Sequence, residues 1–457
     1  MPSAASADPR TAASAAPSGG LRRELGRWDL TAIGVNQVIG SGIFLLPSDI
    51  AREIGPWGPI AFLMIGLASL TIALCFAEAG SRFDRTGGPY LPARAAYGRF
   101  IGFEVGWMMW FTRVASQAAV ANALGIALAL YWPALARNYD VSPGLTVPGP
   151  ERAVLITAVV VVLTWINIRG IKQSSWVVNT LTIGKLVPLV LFIVAGIWFI
   201  DSSRFAPLPA VTVNQMGTAA LLLIFAFGGY EVTGVPAGEA ANPRRDVPFA
   251  FIMTILIVAV IFTLTSMVAT GLLPDVAATR TPLADGAAIV LGAIGALIVT
   301  VGSAISMTGN NMGQVLTGSR TIFALAENGD LPRWFAKVHP RYQTPSNSIL
   351  FTAGVALALA LTGSFVQLAA VSAVARLVMY FAVCTATLVL RRRPPSSALR
   401  PAEFTIPGGP VIPILGSAIS LAILFGATDV QRWRGAQALI AGAVLFLIAR
   451  WTVTPRE

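Results

Sequence analysis

Two short stretches of this chain place glycine where a regular helix should continue. VIGSGIF, Val38 to Phe44, falls about two turns into the first long apolar segment, and FAFGGYE, Phe225 to Glu231, falls near the middle of the sixth. Gly in a helix interior costs roughly 1 kcal/mol relative to Ala, and a backbone amide released in hydrocarbon is costlier still unless something binds it. Each break is therefore either repaired by neighbours or used. If Gly40, Ser41 and Gly42 are unwound, the amides leading into the second half-helix carry the positive end of a helix dipole, which suits a carboxylate. The half-helix ending at Phe225 and Ala226 presents free carbonyls, which suit an ammonium. Donors on one side and acceptors on the other match a zwitterionic α-amino acid. The plainer alternative is that both glycine pairs only let helices approach closely, as small-xxx-small motifs do.

Ionisable side chains inside apolar spans are expensive and therefore candidates for function. Here they are Glu78, Glu104, Arg113, Lys185, Glu231 and Arg376. Glu78 ends the second span, where cytoplasmic water or Arg82 is its expected partner, and Glu104 opens the third at the interface. Arg113 lies nine residues after Glu104, two and a half turns, so the two occupy opposite faces and should not pair. Glu231 directly follows the second break, where a carboxylate accepts from loosened amides or meets a cation. Arg376 reads equally as a substrate contact or a snorkelling anchor. Lys185 sits well inside the fifth span with no carboxylate within a turn. The eighth span carries Ser306, Thr308, Asn310, Asn311 and Gln314; Asn310 and Gln314 share a face, which lines the cavity or binds a neighbouring helix.

The elements that hold these residues are membrane helices. The chain has 457 residues, 55% hydrophobic and 12% charged, with a mean hydropathy of +0.72, too apolar for a soluble globular protein. Twelve stretches are long enough to cross a bilayer: Leu30 to Ile50, Pro59 to Ala79, Ile101 to Trp132, Ala153 to Ile168, Trp176 to Ile200, Met216 to Gly238, Phe249 to Leu273, Ala287 to Leu316, Ser348 to Thr362, Val366 to Leu390, Val411 to Gly426 and Ala436 to Thr452. Of the 32 Lys and Arg, 22 fall on the side of the N-terminus, counting Arg450 at the end of the last span, 7 opposite and 3 deeper within spans (Arg113, Lys185 and Arg376). The positive-inside rule then places both termini in the cytoplasm. The net charge of +11 comes largely from this asymmetry, and basic runs such as Arg391 to Arg393 face anionic lipid rather than nucleic acid. Residues 1–25 read as a disordered cytoplasmic tail without the hydrophobic core of a signal peptide.

Cys75 and Cys384 lie within apolar spans and imply neither a disulfide nor a metal site. The single histidine, His339, sits in a cytoplasmic loop. No cluster with metal-ligand spacing, P-loop or nucleophile elbow is present, so the expectation is no enzyme, no catalytic residue, no metal and no cofactor. From Gly40 to Gly228 is 188 residues, about five spans. Glycine-interrupted spans at matching positions of two halves point to the binding site of an inverted-repeat transporter. Residues 26–205 would then form the first repeat (helices 1 to 5) and 206–395 the second (helices 6 to 10). Residues 396–457 add helices 11 and 12 and a short cytoplasmic C-terminus.

The motifs resemble those of the amino acid-polyamine-organocation (APC) superfamily of permeases, over nearly all of the chain after residue 25. VIGSGIF resembles the first-span motif; FAFGGYE followed by GEAANPRRDVP, Gly238 to Pro248, resembles the sixth span and its exit. AEAGSRFDRTGGPY, Ala77 to Tyr90, resembles the loop after span two, and SRTIFALAENGDLPRWFAKVHPRYQTPSNS, Ser319 to Ser348, the loop between spans eight and nine. The resemblance implies an all-α polytopic membrane protein of the LeuT type: twelve transmembrane helices, a five-plus-five inverted repeat, helices 1 and 6 broken at mid-membrane, and alternating access. It implies that Ile39, Gly40, Ser41 and Gly42 bind the substrate carboxylate and that the carbonyls of Phe225, Ala226 and Gly228 take the amino group. Phe225 matches an aromatic gate, and Lys185, in TIGKLVP, matches a coupling lysine that in many relatives occupies the place of a sodium ion. Glu231, Asn310 and Gln314 are further pocket candidates. Two departures stand out. The outward loop Pro133 to Pro150 has no cysteine, so a disulfide-linked subunit is not expected, and Asp84, Arg85 and Thr86 replace the usual proline ahead of a glycine pair.

The expected function is secondary active transport of amino acids across the cytoplasmic membrane, by proton-coupled uptake or, alternatively, obligate exchange. A channel needs a continuous pore lined by polar rings, whereas polarity here gathers at two breaks; a sensor usually adds a soluble domain, and no segment is long enough for one.

Overall fold

A computed structural model describes residues 25–83, 87–142, 145–169, 175–395 and 399–452. The expected tail, except Leu25, and the departure at Asp84, Arg85 and Thr86 lie outside the described residues. The described chain is mostly helical. Its helices are α1 (Arg27–Val38), α2 (Gly42–Ile54), α3 (Gly58–Gly80), α4 (Tyr90–Tyr97), α5 (Arg99–Leu128), α6 (Pro150–Arg169), α7 (Ser175–Gly196), α8 (Val213–Phe227), α9 (Pro243–Leu272), α10 (Pro282–Glu327), α11 (Ser346–Leu361), α12 (Phe365–Arg392), α13 (Val411–Phe425) and α14 (Asp429–Thr452). A short antiparallel hairpin, β1 (Asn138–Ser142) and β2 (Leu145–Pro148), fills the loop between α5 and α6.

Local signals start several helices where the chain needs them. Thr212 and Gln215 form a capping box at the head of α8, and Ser364 with Gln367 repeats it at the head of α12; each satisfies N–H groups that a helix start leaves open. Pro243 sits at the first position of α9, where a missing N–H costs nothing. α7 shows how the spans face two environments. Ile183, Val187, Val190 and Val194 form an exposed apolar stripe, while Lys185, Leu189 and Phe192 are buried. A helix facing lipid turns its apolar stripe outward and its ionisable residue to the bundle interior.

Seven helical stretches are long and apolar enough to cross a membrane by length and composition. The other five of the twelve expected spans fall outside that class for physical reasons. α1 and α8 stop at the breaks, and α11 and α13 are short, at 16 and 15 residues. α5 is long but polar, burying Glu104, Arg113, Gln117 and Asn122 at the centre of the bundle. α10 runs beyond the expected end of its span at Leu316 as far as Glu327, because Ile322, Leu325 and Ala326 continue its buried face. Gly292, with φ +64°, kinks it near its start.

Candidate functional site

The first break is three residues long. α1 ends at Val38, Ile39 leaves the helix with φ −75° and ψ 88°, and α2 begins at Gly42. Phe44 and Leu45 N–H both donate to Ser41 O, which leaves the N–H groups of Ser41, Gly42 and Ile43 ahead of the first bond of α2. The carbonyls at the end of α1 are claimed from two other helices. Lys185 Nζ, on α7, donates to Asn36 O and Ile39 O, each at 2.8 Å. From α10, Ser306 Oγ donates to Ile39 O at 3.0 Å and Asn310 Nδ2 to Gln37 O at 2.8 Å. A cation here faces the negative end of the α1 dipole.

The second break follows α8. Gly228 is extended, Gly229 takes φ +128°, a conformation reserved for glycine, and a run of tight helix continues from Tyr230 to Glu239. Phe225 O already accepts from Gly228 N–H at 3.1 Å, so this carbonyl is not free as the sequence implied, although a second lone pair remains. The two breaks pack on each other. A β-carbon on Gly42 would come within 2.9 Å of Ala226 Cα, and one on Gly229 within 2.5 Å of Gln37 O.

Glu231 anchors the charged side of the site and is fully buried. Its Oε1 accepts from Arg113 Nη2 at 2.5 Å and Arg376 Nε at 3.1 Å; its Oε2 accepts from Gly229 N–H at 2.9 Å and Tyr380 Oη at 3.2 Å. From Arg113 a chain of bonds runs to Gln314 Oε1 (3.3 Å), from Gln314 Nε2 to Asn310 Oδ1 (3.3 Å), and from Asn310 to Gln37 O. One polar network therefore joins the second break to the first. Between them lies a small cavity lined by Gln37, Gly40, Ser41, Gly42, Phe225, Ala226 and Gly228 with Ser116, Asn310, Gln314 and Arg376 among others. Three atoms of its lining, Gln37 Oε1, Ser41 Oγ and Arg376 Nη1, have no hydrogen-bond partner within the protein. These three atoms are free to bond a polar solute that enters the cavity. On one side the Phe225 ring meets Phe365 edge-on at 6.0 Å; near Glu231, Phe76, Tyr230 and Tyr380 form an aromatic cluster.

The amino acid permease family profile matches residues 25–449. The chain belongs to that family. The permease is similar, among other curated proteins, to three from Bacillus subtilis (strain 168). It is 30% identical over 450 residues to the branched-chain amino acid permease BcaP, covering 94% of this chain and 93% of that one. It is 30% identical over 414 residues to the serine/threonine exchanger SteT, covering 89% and 91%, and 28% identical over 422 residues to a methylthioribose transporter, covering 90% and 89%.

In the permease, Ile39, Gly40, Ser41, Gly42, Lys185, Phe225, Ala226, Gly228, Glu231, Asn310 and Gln314 lie at or beside the two breaks. Two readings of single residues change, and a third gains detail. Arg376 is 1% exposed and held by Glu231, so it is not a snorkelling anchor. Glu78 meets no water: it is fully buried and bound by Arg391 at 2.5 and 2.6 Å, with Arg82 farther off at 3.8 Å. Glu104, expected at the interface, is packed inside the protein at 9% exposure with neither carboxylate oxygen partnered, and it does not pair with Arg113. The residues missed as partners of Glu231 were Arg113, Arg376 and Tyr380. Arg376 and Tyr380 are four apart on α12, a spacing that puts both on one helix face and was the available signal.

Proposed function

We propose that this permease is a secondary transporter that carries an α-amino acid by alternating access through the cavity between its two helix breaks. The observation that carries this reading is the packing of Gly42 on Ala226 and of Gly229 on Gln37, which sets open amides of α2 opposite the carbonyl end of α8. The substrate carboxylate takes the N–H groups at Ser41, Gly42 and Ile43, where the dipole of α2 favours an anion; Ile39 and Gly40 shape the turn. The ammonium takes the carbonyls at the end of α8, at Phe225, Ala226 and Gly228, and Phe225 closes over it. Relatives named for branched-chain amino acids and for serine and threonine support the amino acid class.

The fold reading is that of twelve crossings with both termini in the cytoplasm of a cell whose plasma membrane holds the protein. α1 with α2, and α8 with the tight helix after it, each make one broken crossing. Helix packing supports the inverted repeat of residues 26–205 and 206–395. α3 packs on α9 and α5 on α10; α7 packs on α10 as α12 packs on α5; α1 packs on α7 as α8 packs on α12. Exchanging the two sets of five spans leaves this pattern unchanged. α13 and α14, within 396–457, stand outside it.

Lys185 is the coupling group in this reading. As an ammonium its bonds to Asn36 O and Ile39 O are charge-assisted and hold the end of α1. Losing the proton weakens that hold, so protonation biases one access state over the other. The test is amino acid accumulation in proteoliposomes with and without an inside-alkaline gradient. The parent should accumulate substrate only with the gradient, and Lys185→Ala should lose at least tenfold of that accumulation while retaining some exchange. Uptake driven only by internal amino acid, with no response to the gradient, replaces symport with obligate exchange, the activity printed in the name of the relative SteT.

A further inference from the structure

The charges around the cavity do not balance. Arg113, Arg376 and Glu231 are all buried, at 0%, 1% and 0% exposure, and two guanidinium groups share one carboxylate. Glu231 has no capacity left: a carboxylate offers about four acceptor sites, and Arg113, Arg376, Tyr380 and the Gly229 amide fill them. One positive charge among these three groups is left without a counter-charge. Lys185, which bonds two carbonyls at the end of α1, offers no counter-charge either.

The excess charge has a definite address. Arg113 is directed along the network by its bond to Gln314. Arg376 instead lines the cavity, where its guanidinium sits so close to Gly228 that a β-carbon there would collide with Cζ. Its Nε is spent on Glu231 and its Nη2 reaches Ser116 Oγ at 3.4 Å, but Nη1 is buried without a partner. A buried cation with an unmade bond is costly, and an anion supplies both the missing bond and the missing counter-charge. A zwitterion with a neutral side chain brings no net charge to offset it.

We propose that the substrate is an acidic α-amino acid whose side-chain carboxylate is bound by Nη1 of Arg376. This rests on the reading of the cavity as an amino acid site, in which the α-carboxylate already has the amides of α2. A second carboxylate then finds Arg376 Nη1, the open guanidinium donor of the cavity lining, with the Ser116 hydroxyl beside it, and neutralises the surplus charge; the unpartnered Arg113 Nε lies outside that lining. The neighbouring amides of Asn310 and Gln314 make the lining more hospitable to a polar side chain than to a branched aliphatic one.

The test uses the purified full chain in detergent and substrate-dependent thermal stabilisation, with L-aspartate and L-glutamate against their neutral isosteres L-asparagine and L-glutamine, and with L-leucine and L-arginine. The parent should bind an acidic amino acid roughly tenfold to a hundredfold more tightly than its amide, the range that a hydrogen bond to a charged group carries. Arg376→Gln should erase that ratio by weakening the acid, and Arg376→Lys should keep part of it. If an amide or leucine binds the parent as well as the acids do, the proposal is wrong and the amino acid site stands. If arginine binds best, the cavity prefers a cation and the proposal is equally wrong. If no amino acid stabilises the parent, the reading of the cavity fails as well. If Arg376→Gln weakens acids and amides alike while the parent shows no preference, Arg376 holds the α-carboxylate instead. Should Arg376→Gln fail to fold, the acid-to-amide ratio in the parent and in Arg376→Lys still decides.

Discussion

Gly42 shows how much a single hydrogen atom carries at the site. It opens α2, and its missing side chain lets α8 come close enough that a β-carbon would stand 3.0 Å from Ala226 Cβ. Leucine there forces the half-helices apart and covers the amides in front of α2. Gly42→Leu should therefore weaken amino acid binding at least a hundredfold while the protein still inserts and elutes as a folded species. Substrate-dependent thermal stabilisation reads it out. A variant that binds as tightly as the parent would place the carboxylate elsewhere. Gly228 is constrained differently: the guanidinium of Arg376 occupies the space a side chain would need.

At the scale of elements, the site depends on helices that stop. α8 ends at Phe227 so that its last turn brings the Phe225 ring against Phe365, the first residue of α12. This edge-on pair, at 6.0 Å between ring centres, covers the cavity on one side. A gate of this kind acts in the closed state more than in the initial encounter. Phe225→Ala should thus lower the transport rate by about tenfold or more and equilibrium affinity by only a few-fold. Comparing uptake kinetics with thermal stabilisation by the same substrate checks it; unchanged uptake would remove Phe225 from the gate. On the facing side α7 supplies Lys185 to the end of α1, and α10 supplies Ser306, Asn310 and Gln314 at four-residue intervals along one face.

At the scale of the whole molecule, the helix ends near Glu78 are tied by a strap. Glu78 at the end of α3 binds Arg391 at the end of α12 and the N–H of Ile406 at 2.9 Å, while Arg244 at the start of α9 reaches Ser81 O and Glu403. The segment between α12 and α13 is thereby drawn over three helix ends. Glu78 is buried but Arg391 reaches solvent, so removing the carboxylate costs the hydrogen bonds to Arg391 and Ile406 N–H rather than a stranded buried charge, about 2 kcal/mol. Glu78→Ala should accordingly lower the melting temperature of the purified protein by several degrees and leave acid-to-amide selectivity unchanged, because Glu78 does not line the cavity. An unaltered melting curve would show that the strap contributes nothing to stability.

The sequence by itself determined the membrane class, the two breaks and the residues around them. Those properties are written locally: an apolar run long enough for a bilayer, a glycine pair where a helix should continue, a lysine alone in an apolar span. Its motifs also mark it as a member of the permease family. What it did not determine were the partners of Arg113, Arg376 and Glu78. Arg113 and Glu231 are 118 residues apart, Arg376 and Glu231 145, and Glu78 and Arg391 313. Only the packing of α5 and α12 against the second break shows that two guanidinium groups share one carboxylate and leave a donor facing the cavity. Periodicity places a charge on a helix face; the tertiary fold alone brings the faces of distant helices together, and with them the surplus charge on which substrate choice is here proposed to rest.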